Sequence, residues 1–251
     1  MRRTLTMLAA ASLLCVPAAP IAQPAARGPV PAPPTARAAR AAEPAAGTAR
    51  NAARQPARSS GGPQAAVLET VLGTIVIRLA ERDAPQTVAN FKRLVASGFY
   101  DGTYFHRVIP GFMIQGGDPN TKNDNPNDDG LGGPGYTVPA EIGLPHVRGA
   151  VATARQADAI NPKRASNASQ FFIDVADQPS LDRDGYTVFG HVISGMDVVD
   201  RIVALAEDAS LPPSPGGGRN PMKKTLVTRA WLEPLARWET PVPDAARATA
   251  R

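Results

Sequence analysis

The residues best placed to do chemistry form one run, Tyr104-Phe105-His106-Arg107-Val108-Ile109-Pro110-Gly111-Phe112-Met113-Ile114-Gln115-Gly116-Gly117-Asp118. Strand alternation puts Phe105, Arg107 and Ile109 on one face and His106 and Val108 on the other. An arginine on a largely apolar face must be paired, held at a rim or engaged with a ligand. Phe112 and Met113 follow a Pro-Gly turn, and Gln115 adds an amide that both donates and accepts. That composition suits a small apolar pocket bordered by Arg and Gln. Taken alone, the run reads equally well as a core hairpin whose arginine snorkels to water.

Other chemistries find less support. His106, His146 and His191 lie 40 and 45 residues apart with no paired ligand spacing, so they read as ordinary strand or surface histidines and no metal is expected. Asn125, Asn127, Asp129 and Gly130 copy the first half of a calcium loop, but Pro126 interrupts it and its twelfth position is Tyr136, which favours a polar turn. The chain has no G-x-S-x-G, and its single cysteine, Cys15, falls near the start, so a serine or cysteine hydrolase is not expected.

The elements that must hold such a pocket are mostly short strands. Val67–Val71 and Thr74–Leu79 read as a pair broken at Gly73, with Ile75, Ile77 and Leu79 pointing one way. A helix follows, with Asp83 as N-cap, Pro85 in its first turn, Gln86 three residues after the cap, Val88, Phe91, Leu94 and Val95 on one face, and Gly98 as its stop. Further strands are expected at Tyr104–Ile109, Phe112–Gln115, Ala150–Thr153, Gln170–Val175, Val188–Val192 and Thr225–Leu232, and a second helix after Gly195. Many strands with two helices predict an antiparallel sheet closed into a barrel. Long connections at Asp118–Pro139 and Gln156–Asn167 are places where function gathers, and Leu211–Pro221 reads as a flexible loop.

Three compositional zones frame these elements. Residues 1–22 have the order of a signal peptide: Arg2 and Arg3, an apolar stretch from Leu5 to Val16, then small residues, with cleavage expected after Ala18. Residues 23–64 hold fourteen Ala, eight Pro, six Arg and no aromatic, the composition of a disordered linker. Residues 65–235 read as the folded domain and 236–251 as a tail. The 251-residue chain carries a formal charge of +5, but residues 65–251 carry 19 basic and 21 acidic groups, a net of −2. A basic nucleic-acid-binding domain is therefore disfavoured, because the positive charge belongs to the first 64 residues.

The Tyr104–Asp118 run is joined by Ser166-Asn167-Ala168-Ser169-Gln170-Phe171-Phe172-Ile173 and by Gly185-Tyr186-Thr187-Val188-Phe189-Gly190-His191-Val192, with Gly195-Met196-Asp197 following. Together these closely resemble the cyclophilin family of peptidyl-prolyl cis-trans isomerases, in order from about Ala66 to Leu232. The resemblance implies a mainly β fold, a closed eight-stranded antiparallel barrel capped by two α-helices with a proline site on its outer face. It implies that Arg107 is the catalytic arginine, that Phe112, Met113 and Phe172 wall the proline pocket, and that Leu181 completes it. Gln115 and Gln170 match polar groups along the substrate backbone, and Ala154 lies where the family receives the residue before proline. Arg155 replaces an asparagine at a position that meets substrate through its backbone. Ser180 and Tyr186 stand where many eukaryotic members carry a tryptophan important for cyclosporin and a histidine, and neither position supplies the guanidinium.

The expected activity is rotation of X-Pro bonds in polypeptides folding in the cell envelope, periplasmic or secreted, by a monomer without cofactor or metal. The expected partners are proline-containing polypeptides, with no nucleic acid on the folded domain and no membrane insertion after signal cleavage. A competing reading is a proline-peptide-binding chaperone module with little turnover, and a third is an adaptor acting through the Arg-rich linker.

Overall fold

The computed structural model describes residues 62–239. The expected signal peptide, the expected linker up to residue 61 and residues 240–251 of the expected tail lie outside the described residues. In chain order the elements are β1 (Gln64–Thr70), β2 (Gly73–Leu79), α1 (Pro85–Ala96), β3 (Arg107–Ile109), β4 (Met113–Gly116), β5 (Thr137–Val138), β6 (Ala150–Thr153), β7 (Ser166–Asn167), β8 (Phe171–Asp174), α2 (Pro179–Asp184), β9 (Val188–Ser194), α3 (Met196–Leu205) and β10 (Val227–Pro234). Eight strands make one curled antiparallel sheet in the order β10-β1-β2-β9-β6-β8-β4-β3, and β5 pairs with β7 beside it.

Two expectations about this architecture need correction. The sheet does not close by a ladder between its end strands: the segments just before β3 and β10 meet at one isolated bridge, Tyr104 with Leu226, and Val108 of β3 bridges Arg219 in the loop ahead of β10. The cause is local. The expected strand from Tyr104 starts only at Arg107, because threonine hydroxyls take over as hydrogen-bond partners: Tyr104 N–H donates to Thr121 Oγ1 and Phe105 N–H to Thr225 Oγ1, each at 3.2 Å. There are also three α-helices among the described residues rather than two, since Pro179–Asp184 forms α2. Six residues, opened by Pro179 and stopped by left-handed Gly185 at φ 71°, are too few for a periodic apolar pattern to announce them.

The core lies between the inner face of the sheet and helices α1 and α3. Phe91 of α1 packs against Tyr100, Phe171 and Phe189 with ring centroids 4.9–5.7 Å apart. In β2 not only Ile75 and Ile77 but also Val76 is fully buried. The outer face there is covered too, because Val76 joins Ala65, Val67 and Leu235 in a second cluster on which Trp231 and Trp238 pack. Packing thus continues past residue 235, with Trp238 Nε1 donating to Glu233 at 2.9 Å.

Helix α1 is not capped by Asp83. Its N-cap is Ala84, which offers no side-chain bond, and the first-turn donors turn instead to Glu141: Gln86 N–H at 3.0 Å and Thr87 N–H at 2.8 Å. Burial works to raise the Glu141 pKa, but these donors outweigh it and hold the carboxyl below its ordinary value. One carboxylate from the connection between β5 and β6 thereby supplies charge and acceptors to the positive end of α1. Glu141→Ala is expected to lower stability by about 1–2 kcal/mol, the usual value of an N-terminal cap, read as a lower urea midpoint at unchanged slope.

Candidate active site

Cross-strand register builds the site on the outer face of the sheet. Arg107 lies opposite Gln115, Gln115 opposite Phe172, and Phe172 opposite Ala152, so one row crosses β3, β4, β8 and β6. On that face Met113, Ala150, Ala152, Phe172, Leu181 and Val188 form a buried apolar cluster, with Phe112 and Tyr186 packed against it. A cavity of about 470 Å³ opens over this cluster. Its walls include Phe112, Met113, Phe172 and Leu181 on the apolar side, Arg107 and Gln115 at one flank, and Ala154, Arg155 and Tyr186 at the other.

The expected alternation fails at one point. Phe105 does not share a face with Arg107; it is buried with Val108 in the main core, while His106 reaches the cavity wall. Residues 104–106 are not strand, so the period of two begins only at Arg107. His106 is buried without a hydrogen-bond partner on either ring nitrogen, and burial lowers its pKa to about 4, with nearby Asp129 opposing the shift. It is neutral near pH 7 and offers the cavity no titrating group there.

Arg107 is half-buried and held on three sides. Its Nε–H donates to Gly217 O at 3.1 Å, Nη2 to Gly216 O at 2.5 Å and Nη1 to Gln115 Oε1 at 3.3 Å. A guanidinium has five N–H donors in a fixed fork, so this cradle leaves one on each Nη. Burial pulls its pKa below the ordinary value, with Tyr186 acting in the opposite direction. Gln115 is fixed in turn, its Nε2 donating to Gln170 Oε1 at 2.9 Å.

Gln170 is not a cavity wall. It is 3% exposed, and its Nε2 donates to the carbonyls of Gly132 at 2.8 Å and Gly130 at 3.0 Å. It sits behind Gln115 and orients it, which differs from the expected place along the substrate. Arg155 is tied down more firmly than a backbone-only contact requires. Its guanidinium lies 4.6 Å from the centroid of the Tyr186 ring, pairs with Asp158 at 2.5 Å and donates to Asp184 O.

The feature that sequence reasoning missed is the loop before β10. Leu211–Pro221 reads as flexible, yet it is pinned by bridges of Arg219 to Pro213 and to Val108, and it brings Gly216 and Gly217 onto Arg107. Three successive glycines, Gly216 to Gly218, take φ of 79°, 94° and 84°, which lets the chain turn its carbonyls toward the arginine. The glycine run was the available signal. The Asn125–Asp129 run, read as a polar turn, forms side-chain-capped turns, with Asn125 N–H on Asn123 Oδ1 at 2.6 Å and Asn127 N–H on Asn125 Oδ1 at 3.2 Å.

The same pattern of residues occurs in known proteins. Residues 65–227 match the family model described as cyclophilin type peptidyl-prolyl cis-trans isomerase/CLD. Over 158 residues the chain is 42% identical to peptidyl-prolyl cis-trans isomerase A of Dickeya dadantii, covering 60% of this chain and 76% of that one. Over 126 residues it is 48% identical to a peptidyl-prolyl cis-trans isomerase of Synechococcus elongatus, covering 50% and 77%. Among solved structures, a Cryptosporidium parvum cyclophilin type peptidyl-prolyl cis-trans isomerase, crystallised in the presence of the dipeptide Ala-Pro, superposes with a TM-score of 0.54 at 28% identity. That match covers 67% of this chain and 98% of the other.

Proposed function

The chain belongs to the cyclophilin-type peptidyl-prolyl cis-trans isomerases and rotates X-Pro peptide bonds, and on that premise we propose that Arg107 is the donor that stabilises the twisted bond while Phe112, Met113, Phe172 and Leu181 grip the proline ring. The observation that carries this reading is the cradle: three N–H groups of Arg107 are fixed by Gly216, Gly217 and Gln115 beside an apolar cavity.

Rotation meets a barrier of roughly 18–20 kcal/mol because twisting destroys amide resonance, and an unassisted X-Pro bond exchanges in about tens to hundreds of seconds. As the bond twists, the prolyl nitrogen becomes pyramidal and recovers a lone pair. A donor that meets this lone pair only in the twisted state lowers the barrier, whereas one that binds both planar isomers equally does not. The remaining N–H groups of Arg107 are preorganised for that role, because the fork is already oriented before the bond rotates.

A charge-assisted hydrogen bond contributes about 1.5–3 kcal/mol, one or two powers of ten in rate. The rest of the acceleration comes from the apolar wall, which holds the ring while the preceding carbonyl swings and excludes water from the bond. Ala154 gives the residue before proline a shallow, small-walled place, and Gln115, oriented by Gln170, offers its amide to the substrate backbone. Arg155 and Tyr186, stacked together, form the far rim.

No step transfers a proton, and the two groups best placed to do so do not titrate near neutrality: His106 does so at about 4, and a guanidinium keeps its proton through the neutral range. Turnover is therefore expected to be flat from about pH 6 to 9. A histidine-like step in kcat across that interval, measured by NMR exchange on a proline peptide, would assign the rotation to another group.

The order of residues 1–22 supports export, and with it proline-containing polypeptides folding outside the cytoplasm as the clients. Mass spectrometry of the native amino terminus tests this: a start at Ala19 supports it, and a retained Met1 overturns it.

A further inference from the structure

Asp129 takes no part in the reaction derived above, yet it is fully buried where two distant parts of the chain meet. Its Oδ2 accepts the Tyr104 hydroxyl at 2.7 Å and Asn220 Nδ2 at 2.7 Å. Asn220, equally buried, ties both ends of the loop that carries Gly216 and Gly217. Its N–H donates to Pro212 O at 2.9 Å, and its Oδ1 accepts Met222 N–H at 2.9 Å. The residue before it, Arg219, exchanges backbone hydrogen bonds of 3.0 and 2.9 Å with Val108, the neighbour of Arg107.

A buried carboxyl group is costly unless donors satisfy it; here both donors converge on Oδ2 while Oδ1 has no hydrogen-bond partner among the described residues, so the bonds to Tyr104 and Asn220 are what hold the group in place. Three consecutive glycines have more backbone freedom than any other tripeptide, so their carbonyls keep one position only if the loop is held elsewhere. Asp129 and Asn220 supply that hold from a buried position behind the cavity wall formed by His106 and Gly130.

We propose that Asp129, acting through Asn220, is a positioning residue for Arg107: it anchors the 211–221 loop so that the carbonyls of Gly216 and Gly217 keep the guanidinium aimed into the proline cavity. The proposal rests on the role given to Arg107 above and adds a buried anchor that makes no contact with substrate. It predicts a loss in turnover that is separable from binding and that exists only while Arg107 is present.

The test uses the full chain with Asn220→Ala and, separately, Asp129→Ala, which removes the one oxygen that accepts from both Tyr104 and Asn220. Each is expected to lower kcat about tenfold, the lower end of what one charge-assisted hydrogen bond contributes, with the Kd for an unreactive proline peptide unchanged within about twofold. The Arg107 Nε–H resonance should shift and exchange faster with solvent as its bond to Gly217 O loosens. Added to Arg107→Ala, Asn220→Ala should cause no further fall, because coupled residues are non-additive. Wild-type turnover in both variants, or an equal fall with and without Arg107, overturns the proposal. Loss of the folded amide spectrum in both variants overturns it as well, since the anchor would then serve the fold rather than the arginine. Wild-type turnover in Arg107→Ala itself is a separate result, which removes the role of Arg107.

Discussion

Arg107→Ala is expected to lower kcat/KM on a proline peptide by about one to two powers of ten, the value of a single charge-assisted hydrogen bond in the twisted state. The thermal midpoint should barely move. The side chain is only half-buried, and the carbonyls of Gly216 and Gly217 that it releases are exposed and can turn to water. Lysine should not rescue turnover: it keeps the charge but not the fork, which must hold two glycine carbonyls and Gln115 while still facing the cavity. A protease-coupled assay and direct NMR exchange should agree, and activity at the wild-type level in either would end the mechanism.

Phe172→Ala is expected to act on binding and on the fold together. Phe172 is 4% exposed in the middle of the row from Arg107 to Ala152, nearly parallel to His146 at 5.8 Å and edge-on to Tyr186 at 5.7 Å. Removing the ring leaves a void under the proline site at a cost of about 3–5 kcal/mol, a large fraction of the ~5–15 kcal/mol that holds a domain folded. The floor of the cavity is lost with it, so KM should rise by about tenfold or more, since a buried aromatic contact is worth roughly 1.5–3 kcal/mol. Phe172→Leu should recover most of the stability and part of the KM. If Phe172→Ala lowered kcat and left KM unchanged, the ring would not be the wall that grips proline.

These two variants divide the site by the kind of force involved, and the sequence carried the two kinds unequally. Apolar periodicity announced the face of α1, and β-rich runs announced the strands that carry Met113, Phe172 and Val188, while the assignment of Phe172 and Leu181 to the wall came from the family resemblance. The polar half was harder to read, because its partners are backbone carbonyls or come from far away. Gly216 and Gly217 act through oxygens that every residue possesses, so only the glycine run hinted at them. Glu141 caps α1 from 55 residues away, where a local rule favours Asp83. Gln170 has the residue type of a substrate contact, but register places its amide behind Gln115. The alternation assumed from Tyr104 onward failed because two threonine hydroxyls ended the strand early, and no pattern in residues 104–109 records where those threonines lie.

The distance along the chain between Arg107 and its holders bears on how the enzyme comes into being. The Gly217 partner lies 110 residues after Arg107, and β1, the first strand, waits for β10, the last, with Gln64 opposite Pro234. Such a topology has high contact order, and its folding is slow for its size. A chain emerging amino terminus first can close the β1–β2 hairpin early, but until residues 227–234 follow, the other side of β1 is an unprotected edge with bare N–H and C=O groups. Activity and protection from aggregation therefore arrive in the same late event, so a nascent or truncated chain ending before the 211–221 loop is both inactive and prone to mispairing.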